Sequence, residues 1–163
     1  MITETNIYKY GIFIENIVIK YLQEIEQVSI LEKHNNNYKY DLIIKDTEDI
    51  IFKIEIKACR QAFKTNNFYI EYVSNGKPSG INTTQSDILI YVVEHEYKYM
   101  IYWINIIHLK NYIDTNNEKI KIGTTKSIEN EGNFNGKMNK GYLININDDI
   151  YYKIHELIKS NIL

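Results

Sequence analysis

Between Thr5 and about Gln27 the apolar residues Ile7, Tyr10, Ile14, Ile17, Val18, Tyr21, Leu22 and Ile25 recur at helical spacing, which predicts a long amphipathic helix. Glu15 interrupts its inner half. The period then shortens. Alternating apolar and polar positions predict strands near Val28–Leu31, Tyr38–Lys45, Ile50–Lys57, Phe68–Val73, Ile88–Val93 and Tyr97–Trp103. A helix is expected from about Ile104 to Ile113, followed by a long polar loop over Ser127–Lys140, rich in Asn and Gly. A strand at Tyr142–Ile146 and a closing helix over Asp148–Ser160 complete the order. With neither repeat nor linker, residues 1–163 read as one domain of the α/β (α+β) class.

The alternation at 51–57 places Phe52, Ile54 and Ile56 on one face of a strand and Lys53, Glu55 and Lys57 on the other. The preceding strand candidate carries Asp41, fourteen positions before Glu55, and 46–49 has turn composition. If 47–49 form a three-residue loop, Asp41 lies opposite Glu55, while Tyr40, Leu42 and Ile44 share the apolar face; a one-residue slip would mix polar with apolar. Opposed residues have β-carbons roughly 5 Å apart, close enough for two carboxylates to converge on one hard cation. A divalent ion held by Asp41, Glu55 and the carbonyl of Ile56 would polarise a phosphoryl oxygen and acidify a bound water. Lys57 would orient that water or offset charge on the phosphorane. Alone, a Glu-x-Lys triplet on a solvated strand is an ordinary ion-pair pattern; the Asp41 register is what lends it chemistry.

Composition narrows the classes. Residues are 44% hydrophobic and 25% charged, enough for a real core. The apolar runs fall short of a bilayer span and the N-terminus lacks the order of a signal peptide, so a cytoplasmic, membrane-free protein is expected. The single cysteine, Cys59, excludes an internal disulfide and a Cys-rich zinc site, and reads as a small buried residue rather than a nucleophile. His34, His95, His108 and His155 show no ligand spacing. A net charge of −2 argues against a general polyanion-binding coat, but not against a nuclease whose carboxylates are neutralised by metal.

With Glu15, Asp41 and the Glu55-Ile56-Lys57 triplet in this order, the chain resembles the PD-(D/E)xK nuclease superfamily across most of its length. The resemblance implies a restriction-endonuclease-like fold, a central mixed β-sheet flanked by helices. It implies that Glu15 faces the site from the first helix and that the carboxylates bind magnesium, with manganese as its substitute. Lys57 would assist the attacking water. The family's usual proline before the aspartate is absent, since Tyr40 stands there. The segment from Phe68 through Asn75, Gly76, Lys77, Pro78, Ser79 and Gly80 to Asp87 is similar to phage- and virus-type members, some grouped near Holliday-junction resolvases. The location would then be a host cytoplasm.

Beyond these residues, Arg60, Gln61 and Lys64 follow the triplet strand and are candidates for phosphate contacts, against the plainer reading of an exposed connection. Lys77 and Ser79 lie in a rigid turn of small residues that suits a phosphate. The expectation is a magnesium-dependent endonuclease hydrolysing DNA phosphodiester bonds, with branched DNA such as a Holliday junction as a candidate substrate, and acting as a homodimer. The alternative is a non-catalytic nucleic-acid-binding or interaction module on the same fold.

Overall fold

The structure, a computed structural model, describes residues 4–34, 39–128 and 134–162. It is a mixed α+β arrangement built on two sheets. In chain order the elements are α1 (Glu4–Glu24), β1 (Ser29–Lys33), β2 (Leu42–Lys45), β3 (Ile51–Cys59), α2 (Ala62–Thr65), β4 (Asn67–Ser74) and β5 (Lys77–Pro78). Then come β6 (Ile88–Glu94), β7 (Lys98–Asn105), α3 (Ile106–Asn116), β8 (Lys121–Ile128), β9 (Phe134–Asn145) and β10 (Lys153–Ile158). A six-stranded sheet has the order β1-β2-β3-β6-β7-β10, and a four-stranded sheet the order β5-β4-β9-β8. The β3–β6 pair is parallel; the others are antiparallel.

Strand β6 explains the layering. Its run of apolar residues is buried on both faces, as a central strand requires. Ile88, Ile90 and Val92 join Ile54, Ile56, Ile101 and Trp103 beneath Ile14, Ile17, Val18, Tyr21 and Leu22 of α1. Leu89, Tyr91 and Val93 join Tyr102 and Ile104 on the opposite face, covered by Phe68, Ile70 and Ile144 of the smaller sheet and by Leu109 and Ile113 of α3. Each fully buried residue of this kind contributes roughly 1.5–3 kcal/mol over its exposed state. On β3 the face towards the second core carries Glu55 and Lys57 instead of apolar side chains. That polar gap is where the site lies.

Two sequence expectations are corrected. Asp148–Ser160 is not a helix. Ile150, Ile154, Leu157 and Ile158 have helical spacing, but Lys153–Ile158 pairs residue for residue with Trp103–Lys98 along the otherwise open edge of β7. Nor is Ser127–Lys140 a polar loop, since its described residues belong to the β8–β9 pair, in which Lys121 faces Leu143 and Lys126 faces Met138. Gly123 and Gly141 belong to this ladder because a β-carbon on either would lie within 3.0 Å of Leu143 or of the Tyr69 ring. Among the described residues, no helix is long and apolar enough to cross a membrane.

Candidate functional site

The site begins in the β2–β3 hairpin. Asp46 takes the Ile50 carbonyl on its backbone N–H at 2.9 Å, and its side chain accepts the N–H groups of Glu48 (2.9 Å) and Ile50 (2.8 Å). Asp49 has φ 63°. This is a three-residue turn ending in a left-handed residue, and it fixes the register at Leu42 opposite Ile54 and Lys45 opposite Ile51. One step further, Asp41 stands opposite Glu55. Its N–H donates to the Ile54 carbonyl at 2.8 Å, its carbonyl accepts the His34 N–H at 2.9 Å, and its Oδ2 accepts the Ile56 N–H at 2.6 Å. The aspartate is thus held by backbone on three sides.

Electrostatics bind the group together. Lys57 Nζ lies 3.1 Å from Glu55 Oε1, where the Glu55 side chain is 13% exposed. Carboxylates surround the ammonium, and 54% of the Lys57 side-chain surface is exposed along the groove. Burial alone would lower the Lys57 pKa, but Glu55, Asp41 and Glu71 outweigh it and raise the value above that of an ordinary lysine. Burial raises the Asp41 pKa; Glu55 adds to the rise, while the Ile56 N–H and Lys57 oppose it. Glu15 is raised too, by burial first and by Asp41 second. Carboxylates whose charged forms are disfavoured by burial and by one another gain from a proton or a cation.

The smaller sheet supplies a wall. Asn75 and Gly76, at φ 52° and 76°, make the two-residue turn between β4 and β5, setting Ser74 opposite Lys77. Ser79 Oγ donates to Glu71 Oε1 at 2.7 Å. Gly80, at φ 49°, is packed so closely that an added β-carbon would lie 2.2 Å from the Glu71 carbonyl oxygen. Glu15, Asp41, Glu55 and Lys57 line one groove of about 1000 Å³ with Glu71, Lys77 and Ser79. Glu71 is a functional candidate that the sequence left unmarked: an acidic residue in an alternating strand has no signal of its own until the two sheets meet. A second unmarked feature lies behind Asp41, where the Lys39 carbonyl accepts Gln85 N–H (3.0 Å), Thr84 Oγ1 (3.2 Å) and Ser86 Oγ (3.3 Å). Thr84 and Ser86 are buried, so these bonds anchor the chain two residues before the aspartate.

Arg60, Gln61 and Lys64 are not brought into the groove. Alternation along β3 sends Glu55 and Lys57 to one face and Arg60, with Ile56 and Ala58, towards α1. There Arg60 stacks 3.8 Å from the Tyr10 ring centre and pairs with Glu94 at 3.3 Å. Gln61 precedes α2 and its carbonyl accepts the Thr65 N–H at 2.9 Å, while Lys64 is exposed on that short helix. Cys59 is half-buried rather than buried.

For a metal, the donor chemistry fits a hard cation: carboxylate oxygens of raised proton affinity, without thiol or paired imidazole ligands. Among the described residues no three His, Cys, Asp or Glu side chains form a ready-made metal centre. Comparison with protein-family models, with curated proteins and with solved structures finds no match to this chain.

Proposed function

We propose that the protein is a metal-dependent DNA endonuclease. The observation that carries this reading is Asp41, pinned by the Ile56 N–H, opposite a Glu55 that touches Lys57, all in one groove with Glu15. Asp41 and Glu55, with Glu15 and the Ile56 carbonyl, would hold a magnesium or manganese ion, whose chemistry when bound is to polarise the phosphoryl oxygen and acidify water. The chain's own residues do the rest. Lys57, kept protonated by its carboxylate neighbours, places a positive charge where the phosphorane gains negative charge. Lys77 on the β4–β5 hairpin offers a second cation to the backbone, and Ser79 holds Glu71 in place. Two copies related by a two-fold axis would cut both strands with one site per chain.

Nicking of supercoiled plasmid and cleavage of flap and four-way-junction DNA, with and without magnesium, test the proposal. The expected result is metal-dependent cleavage that disappears in Lys57→Ala. DNA binding without cleavage by the wild-type protein under any divalent ion would replace it with a non-catalytic binding module.

A further inference from the structure

A second cavity opens off the groove, between the two sheets. It has a volume of about 210 Å³ and shares Glu55, Lys57, Glu71 and Gly80 with the groove. Its inner walls include Tyr91, Leu89, Ile81 and Ile106, all buried. The Tyr91 hydroxyl accepts the Tyr69 N–H at 3.1 Å, which fixes that ring in the wall. The cavity is therefore preformed, with buried aromatic and apolar walls, and its charged residues Glu55, Lys57 and Glu71 are among those it shares with the groove.

From this geometry we infer that the cavity receives one unstacked nucleobase of the nucleic acid, from a nucleotide beside the phosphate in the groove. Size, chemistry and continuity each support a heterocycle of this kind. An apolar cavity of about 150 Å³ holds a benzene ring; the larger space here, about 210 Å³, suits a single nucleobase with its ring substituents. Apolar and aromatic walls reward a ring taken out of a base stack. At the mouth, Glu71 accepts from a ring N–H or amino group, which leaves Lys57 and Glu55 to the phosphate and its metal ion. Because the mouth groups also line the groove, a base in the cavity and its phosphate in the groove belong to one nucleotide chain. The inference rests on the nuclease reading and adds that an unpaired or extruded base is part of substrate recognition.

Cys59 provides a probe, being the only cysteine in the chain and lining this cavity. Its alkylation by iodoacetamide is followed by intact mass, in free protein and with thymidine 5′-monophosphate or deoxyribose 5-phosphate. Thymidylate at ten times its Kd should slow labelling about tenfold. Deoxyribose phosphate should leave the rate unchanged. Protection by deoxyribose phosphate equal to that by thymidylate, or no protection by thymidylate, overturns the inference. If the free thiol labels too slowly to follow, fluorescence anisotropy in calcium decides instead. A duplex with one bulged thymidine should bind about tenfold more tightly than the same duplex with an abasic bulge; equal affinities overturn the inference. Protection without any metal-dependent cleavage removes the nuclease reading alone, and cleavage with an unprotected Cys59 removes the base site alone.

Discussion

Asp41 is half-buried and raised in pKa by that burial, so the folded protein without metal binds a proton there more tightly than the unfolded chain does. Stability of the metal-free protein should fall as pH rises from the ordinary aspartate value of 3.8 through the raised one. Glu15 contributes in the same direction. Asp41→Asn should flatten that part of the pH–stability curve and leave the metal-free melting temperature level or higher at neutral pH. In the same variant, and in Glu55→Gln, cleavage should fall by about 100-fold or more, the scale of losing one preorganised charge at a reacting centre. Thermal unfolding across pH, beside a plasmid assay, checks both halves; a variant that unfolds at neutral pH would assign the carboxylate to structure. Lys77→Ala separates binding from chemistry. It should weaken DNA affinity for all sequences and reduce the salt slope by about one counterion, with cleavage at saturating DNA far less affected than in Lys57→Ala.

Among the elements, the β4–β5 hairpin and the segment after it depend on backbone freedom at Gly80. Alanine there must keep φ 49° and bring a β-carbon to 2.2 Å from the Glu71 carbonyl oxygen. Gly80→Ala should cost about 1–3 kcal/mol by chemical denaturation, and should disturb Glu71 and Ser79 enough to reduce cleavage as well. Strand β10 offers a sharper contrast between the structure and the helical expectation from sequence. Lys159 N–H donates to the Tyr97 carbonyl at 3.0 Å, and with the register of β7 this directs the amides of odd residues in β10 inward and those of even residues to the open edge. Leu157→Pro should therefore lose a ladder bond and destabilise the sheet, whereas Glu156→Pro should be milder. Equal damage from both, read by urea unfolding, would restore the helix.

At the scale of the whole molecule, a dimer on DNA is expected from the one-site-per-chain proposal, and light scattering with and without a four-way junction measures it; monomers in both conditions, with nicking retained, would indicate single-strand cutting. The parts whose causes are local can be read directly from the residues. Alternation over 51–57 and a turn at 46–49 set Asp41 opposite Glu55, because hairpin register depends on a period of two and on loop length. The α1 stripe and the doubly buried β6 were legible for the same reason, as each records in its own residues which faces are covered. The same parity would have placed Arg60 on the α1 face, although its nearness in sequence to Lys57 suggested otherwise. The remaining features each depend on a partner remote in the chain. Lys153–Ile158 is a strand because β7 offers an open edge, and edge pairing outweighs a weak helical spacing. Glu71 reaches the site, and the Lys39 carbonyl is held by Thr84, Gln85 and Ser86, only because the second sheet and the loop before β6 pack beside β3, contacts between residues far apart in the chain that no local period encodes.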